Sequence, residues 1–259
     1  MSVTITREQI LETAVRQSAI DLHCAPEDFL CGENRVVCSE PSPDARRYLE
    51  LPFLLNLVSY GNNVVASVSP AFESLARGYI DRFPAEHCFE TPNLHVLNDA
   101  LQKKGARVCF MAEYFLPDPA LLSPLPCAYE TRILSPADFS ALYLPQWSNA
   151  LCEKRKRLDV LAVGAYDGET LIGLAGCSAD CEEMWQIGID VPSYRRQGVA
   201  SALTSQIALE ALQRGKVPFY CAAWSNVRSV RNAIKSGFRP AWVELTAKSA
   251  AFVAELNGA

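Results

Sequence analysis

Between Met184 and Gln213 the chain changes its period within one short stretch. An alternating run ending at Ile189-Asp190-Val191 gives way, over Pro192-Ser193-Tyr194-Arg195-Arg196-Gln197, to Gly198. Val199, Leu203, Ile207 and Ala211 then recur on one helical face. After this helix the next apolar run, Val217–Ala223, reads as a further strand. The first turn of such a helix has unpaired N–H groups and the positive end of the helix dipole. Together they make an anion site suited to a pyrophosphate. Gly198 has no side chain to obstruct an approaching phosphate, Ala200 keeps the helix start narrow, and Arg195 and Arg196 add charge-assisted donors. A string of the form Arg-x-x-Gly-x-Ala is short enough to occur by chance and carries little alone.

The surrounding pattern supplies context. Thr6–Leu22 reads as a helix capped by Thr6, and Phe53–Tyr60 with Asn63–Val68 reads as a hairpin around Gly61-Asn62. Helices are predicted from Ser69-Pro70 to about Arg82 and from Pro92 to Lys104, followed by a strand at Arg107–Phe115. Leu116–Pro126 holds Pro117, Pro119, Pro124 and Pro126, which favours a stiff extended connector. Beyond it come a strand at Tyr129–Leu134, a helix opening at Ser135-Pro136 with Asp138 near the capping position, and a hairpin turning at Asp167-Gly168. A helix at Asn226–Ser236 and a strand at Arg239–Thr246 close the pattern. The expected division is a smaller α+β domain over residues 1–116, a linker over 117–127 and a second domain over 128–259.

Residues 1–127 carry 10 Lys/Arg against 16 Asp/Glu and residues 128–259 carry 14 against 13, so the second part suits an anionic ligand better. The net charge of −5 gives no basic footprint for nucleic acid, and no stretch reaches the length of a membrane span. The start lacks the apolar core of an export signal, so the ten cysteines read as reduced thiols in a cytoplasmic protein. Neither the cysteines nor His23, His87 and His95 show metal-ligand spacing, and no metal is expected.

The string Arg195-Arg196-Gln197-Gly198-Val199-Ala200 resembles the acyl-CoA signature of the GNAT acetyltransferases. Ile189-Asp190-Val191-Pro192-Ser193-Tyr194 before it matches the family's lead-in. A second motif follows at the family's distance: Asn226-Val227-Arg228-Ser229, then Lys235-Ser236-Gly237-Phe238. The resemblance covers about residues 128 to 248. It implies a mixed, mostly antiparallel sheet flanked by helices, with a parallel pair where Met184–Val191 meets Val217–Ala223 across the helix from Gly198, and with acetyl-CoA as co-substrate and the primary amine of a small molecule as acceptor. It further implies that Ile189, Asp190 and Val191 line the pantetheine arm and that a backbone N–H near Ile189 polarises the thioester carbonyl. The pyrophosphate would rest on Arg195, Arg196, Gln197, Gly198, Val199 and Ala200, with Asn226 and Ser229 on the other side of the arm. Trp147 and Asn149 fall where the family places its acceptor-side segments. The N-terminal part looks like the front half of a bacterial two-domain GNAT family.

One departure bears on mechanism. Many relatives have a tyrosine four residues before the glycine of Lys-x-Gly-Phe, where it protonates the leaving thiolate, and this chain has Ala233. Tyr220, Tyr194 and Cys221 are the available substitutes, and Ala233→Tyr is expected to leave CoA affinity unchanged and to raise turnover. Glu183, with Glu182 beside it, is the candidate base; both also read as a solvated acidic turn. Trp185 and Trp224 suit either a pocket or the core, and Lys154-Arg155-Lys156-Arg157 reads as a solvated helix end. Rival readings are an acyl-CoA-binding sensor without turnover and a protein or peptide acetyltransferase.

Overall fold

The structure, a computed structural model, describes residues 5–192 and 197–258. In chain order its elements are α1 (Arg7–Leu22), β1 (Arg35–Cys38), β2 (Leu55–Ser59), β3 (Val65–Val68), α2 (Glu73–Ile80), α3 (Thr91–Gln102), β4 (Ala106–Pro117), β5 (Glu130–Leu134), β6 (Asp159–Asp167), β7 (Thr170–Ser178), β8 (Met184–Asp190), α4 (Val199–Gln213), β9 (Val217–Ala222), α5 (Val227–Lys235), β10 (Phe238–Ser249) and α6 (Ala250–Leu256). Two compact units divide the chain. The first joins Met1–Thr13 to Tyr114–Pro240, and the second joins Ala14–Glu113 to Ala241–Ala259. The chain passes from one to the other inside β4 and again inside β10.

In the first unit, β5, β6, β7 and β8 form an antiparallel run and β9 adds to β8 in parallel. The β6–β7 hairpin turns where the sequence predicts, with Gly168 at φ +59° and Asp167 opposite Thr170. The mostly antiparallel sheet and the parallel pairing of β8 with β9 are as the sequence predicts. The core lies between this sheet and α4, where Val199, Leu203, Ile207 and Ala211 are buried with Leu161, Val163, Trp185 and Ile187. Gly173 on β7 permits the close approach of α4. A Cβ there would lie 2.9 Å from Val199 Cγ1 and 3.2 Å from Leu203 Cδ1.

The second unit pairs β2 with β3 as a hairpin, sets β1 parallel to β3 and adds β10 to β2 through Val243–Ala247. Alternation along these strands feeds two faces. Leu55, Leu57, Ala66, Leu245 and Ala247 pack with Phe72, Ile80, Leu97 and Leu101 of the α2–α3 region. On the other face Ser67 Oγ donates to the carbonyl of Leu22 at the end of α1, 2.8 Å away. A buried polar group belongs to this unit as well. Arg46 pairs with Asp21 and donates to Glu244 at 2.6 Å, and Trp242 Nε1 donates to the same Glu244 oxygen at 2.8 Å.

Several local expectations change. Residues 135–144 form successive turns rather than a helix. Asp138 accepts from both the N–H and the hydroxyl of Ser135, and Phe139 to Leu144 then close short turns toward Pro145. The proline-rich connector is bonded into the first unit: Leu122 is buried in its core, Leu125 N–H donates to Ser205 Oγ, and Asp118 pairs with Arg239. Arg155 is more than a solvated cation, because it pairs with the fully buried Asp180. Trp185 is core, whereas Trp224 is 63% exposed. All ten cysteines are free thiols. Among the described residues, no helix is long and apolar enough to cross a membrane and no cluster of His, Cys, Asp or Glu has the makings of a metal site.

Candidate active site

Two adjacent strands that stop pairing leave backbone groups that must find partners elsewhere. β8 and β9 pair from Met184↔Val217 to Ile187↔Tyr220, and there the ladder ends. β8 continues to Asp190 and remains paired with β7 through Leu174↔Asp190. β9 continues to Ala222. Gly188, Ile189 and Asp190 therefore have a ladder on one side only. Beyond β8, α4 begins at Gly198, which sits in the left-handed region at φ +82°. Among the described residues an ideal Cβ there would meet nothing within 4 Å, so glycine is required by conformation rather than by crowding. The side chain of Val199 is buried against Gly173, leaving only its backbone for a ligand. Gln197 is exposed and its Oε1 accepts from Tyr129 Oη at 2.5 Å. Arg195 and Arg196, with Ser193 and Tyr194, lie outside the described residues.

Tyr220, the last paired residue of β9, is buried, and its hydroxyl lies 2.7 Å from Ser229 Oγ on α5. Burial raises the phenol, against the hydrogen bonds from Ser229 and Asn232, so it stays protonated through neutral pH. Asn226 caps α5 by accepting from Ser229 N–H at 3.3 Å. Three sequence-predicted residues, Tyr220, Ser229 and Asn226, thus meet at one end of the gap. Ala233 on the same helix is fully buried. Glu183 stands apart. It is exposed, its carbonyl accepts from Val217 N–H at 2.9 Å, and roughly 13 Å of strand separates it from the parting point, at about 3.3 Å per residue.

Asp190 has a role that its place in the motif does not reveal. Its carboxylate accepts from Asn149 N–H at 2.8 Å, Asn149 Nδ2 at 2.7 Å and Ala150 N–H at 3.0 Å. The segment it holds lies on a pair of glycines. Gly176 and Gly188 face each other across β7 and β8. A Cβ on Gly176 would fall 1.9 Å from the carbonyl oxygen of Ala150, and one on Gly188 1.8 Å from that of Asn149. The available signal was two glycines inside strand patterns, which mark close approach of another backbone. At the parting end of the parallel pair, Gln186 Nε2 donates to Cys221 Sγ at 3.2 Å, linking β8 to β9.

Residues 128–238 match the family model described as Acetyltransferase (GNAT) family. No curated protein matches the chain. Among solved structures, a GCN5-related N-acetyltransferase-like protein from Streptococcus suis is 19% identical with a TM-score of 0.45, covering 61% of this chain and 69% of that one. An acetyltransferase from the GNAT family of Colwellia psychrerythraea is 16% identical with a TM-score of 0.44, covering 71% and 76%. A GCN5-related N-acetyltransferase from Kribbella flavida is 15% identical with a TM-score of 0.46, covering 61% of this chain and less than two thirds, 64%, of its own. Residues 128–238, less than half of the chain, are thus similar to the acetyltransferase (GNAT) family.

Proposed function

We propose that this protein transfers an acetyl group from acetyl-CoA to the primary amine of a small molecule. The observation that carries the reading is the parting of β8 and β9 above Ile187↔Tyr220, directly before a helix that starts at a left-handed glycine. The residues present suit the donor. An extended amide-bearing arm finds an open strand edge at Gly188–Asp190, and a pyrophosphate finds backbone N–H groups at Gln197, Gly198, Val199 and Ala200. Arg195 and Arg196 are assigned to the same anion, Val191 to the arm, and Asn226 and Ser229 to the arm's other side. The division into an acyl-CoA domain at 128–259 and a separate domain at 1–116 belongs to this reading.

The neutral amine attacks the thioester carbonyl carbon, and the N–C bond forms as the oxygen takes up charge. A backbone N–H near Ile189 meets that charge. When the intermediate collapses the C–S bond breaks, and the sulfur takes a proton from Tyr220, whose protonated state burial protects. The amine's proton leaves through water toward Glu183. The acceptor enters beside Trp147 and Asn149.

A thiol-release assay with acetyl-CoA and a panel of aminoglycosides, polyamines and amino acids tests the reading. Acetyl-CoA-dependent thiol release with at least one amine is expected. Binding of acetyl-CoA without turnover would favour a sensor instead, a reading that Ala233 at the usual acid position supports. Gly198→Glu, which puts a charged side chain where φ is +82°, is expected to abolish acetyl-CoA binding by calorimetry in a protein that circular dichroism shows to be folded. Unchanged affinity would place the donor elsewhere.

A further inference from the structure

A groove of about 230 Å³ runs between α2 and α3 in the second unit. Leu75, Gly78 and Tyr79 form its α2 side, and Val96 and Ala100 its α3 side. The walls are mostly apolar although they meet solvent: Val96 is 39% exposed and Leu75 is half-buried. The Tyr79 hydroxyl is committed to the carbonyl of Cys88, 2.8 Å away, so the tyrosine offers only its ring. Gly78 is the residue that the fold does not explain. It lies inside α2, where glycine is the poorest helix former after proline. Its φ is outside the left-handed region, and a Cβ would meet nothing within 4 Å. Neither conformation nor crowding calls for glycine there. Its bare Cα keeps the floor of the groove open to something from outside the fold.

One end of the groove carries Arg82. It is exposed, its guanidinium carbon sits 5.1 Å from the centroid of the Phe83 ring, and no carboxylate pairs with it among the described residues. From Ser74 to Arg82 the helical rise gives the groove a length of roughly 12 Å. A narrow apolar channel ending in one guanidinium matches an aliphatic chain with a single carboxylate, whereas a phosphate would find one cation where its oxygens want several donors. The volume falls below the about 300–1,000 Å³ of pockets for drug-sized ligands, which leaves room for one short chain. We propose that the second unit binds a medium-chain, unbranched monocarboxylate, with its chain over Gly78 between Leu75 and Val96 and its carboxylate on Arg82. The site is independent of the acetyl-CoA reading.

Calorimetric titration of octanoate against the full chain tests the proposal, with octylammonium as the oppositely charged control. The unaltered protein is expected to bind octanoate with millimolar or tighter affinity, and octylammonium about tenfold more weakly. Arg82→Gln is expected to lose about tenfold for octanoate. Gly78→Leu fills the groove with a good helix former, and is expected to abolish binding while melting no lower than the parent by circular dichroism. Ala100→Leu, which fills the groove from α3, repeats the test should Gly78→Leu misfold. Absence of octanoate binding by the unaltered protein, or affinity retained in a folded, filled variant, overturns the site. Equal affinity for octanoate and octylammonium, or no effect of Arg82→Gln, overturns the carboxylate ligand and with it the proposal. Self-association that Gly78→Leu disperses, with no octanoate bound, assigns the groove to a second copy of the chain and overturns the proposal as well.

Discussion

Asp159 opens β6 opposite Ser178 on β7, and its carboxyl is 3% exposed. One oxygen accepts from Cys152 N–H at 2.9 Å. The other oxygen and the Ser178 hydroxyl are buried without hydrogen-bond partners among the described residues. Burial pushes the carboxyl up to about 6, against the Cys152 hydrogen bond, the nearby Tyr143 hydroxyl and the charge of Arg155, while Asp180 adds to the rise. An unfolded aspartate loses its proton near 3.9. Between that value and about 6 the folded chain holds a proton that the unfolded chain has released. Stability conferred through this group is full at the acidic end and is lost as pH rises to about 6. Asp159→Asn removes the titration. The parent Tm is expected to rise from pH 7 to pH 5 by about 2–4 °C more than that of the variant, read by differential scanning fluorimetry. Equal pH responses would show that Asp159 ionises freely in the fold. Ala233 carries a second expectation at this scale, and here the sequence misleads. The position is fully buried, and the Tyr220 hydroxyl bonds to the same helix at Ser229. Ala233→Tyr is therefore expected to overpack the core, costing about 1–3 kcal/mol by denaturant unfolding, and not to gain turnover.

At the scale of elements, the patterned parts of the chain were legible and the folded-over parts were not. The β8–loop–α4–β9 succession follows from a change of period and a glycine, both local signals. The hairpins at Gly61-Asn62 and Asp167-Gly168 follow from turn chemistry in the same way. Residues 135–151 carry no sustained period, and their conformation is set by what they rest on. Phe139, Trp147, Ala150 and Leu151 pack with Leu134, Ala162 and Leu174, and Asp190 ties down the backbone between them. The candidate site divides likewise. The glycine at the start of α4 was readable, whereas the Asp190 clasp depends on tertiary placement of a segment about 40 residues away. Gly188→Ala tests the clasp. Its Cβ would fall 1.8 Å from the carbonyl oxygen of Asn149, so the segment must lift, with an expected loss of about 3 kcal/mol in urea unfolding. Gly32→Ala is the control: nothing lies within 4 Å of its Cβ, and a change under about 0.5 kcal/mol is expected. Similar costs at both positions would remove the close approach as the reason for glycine.

At the scale of the molecule, each unit is assembled from two stretches of chain. The first unit's core includes Phe115 and Leu122, which precede the family-matched segment. The second unit completes its sheet with Val243–Ala247 of β10, placed against Leu55–Ser59. A fragment of residues 128–259 would lack Phe115 and Leu122 and would carry Leu245 and Ala247 without the strand and helices that bury them. It is expected to lose the cooperative melt of the full chain, as judged by circular dichroism. A fragment melting as sharply and as high as the parent would show that those contacts contribute nothing to its stability.

The bond from Arg46 to Glu244 spans 198 residues of sequence. On a ribosome that emits the chain from its N-terminus, Asp21 and Arg46 emerge long before Glu244 and Trp242. β2 must wait with the edge that β10 will occupy, and Arg46 must wait without its second carboxylate. The second unit is thus the earlier one to be synthesised and the later one to be finished, and its nascent form presents an open strand edge for most of translation. A cell making this protein must shield that edge for the interval, and a stalled or prematurely terminated chain exposes it permanently.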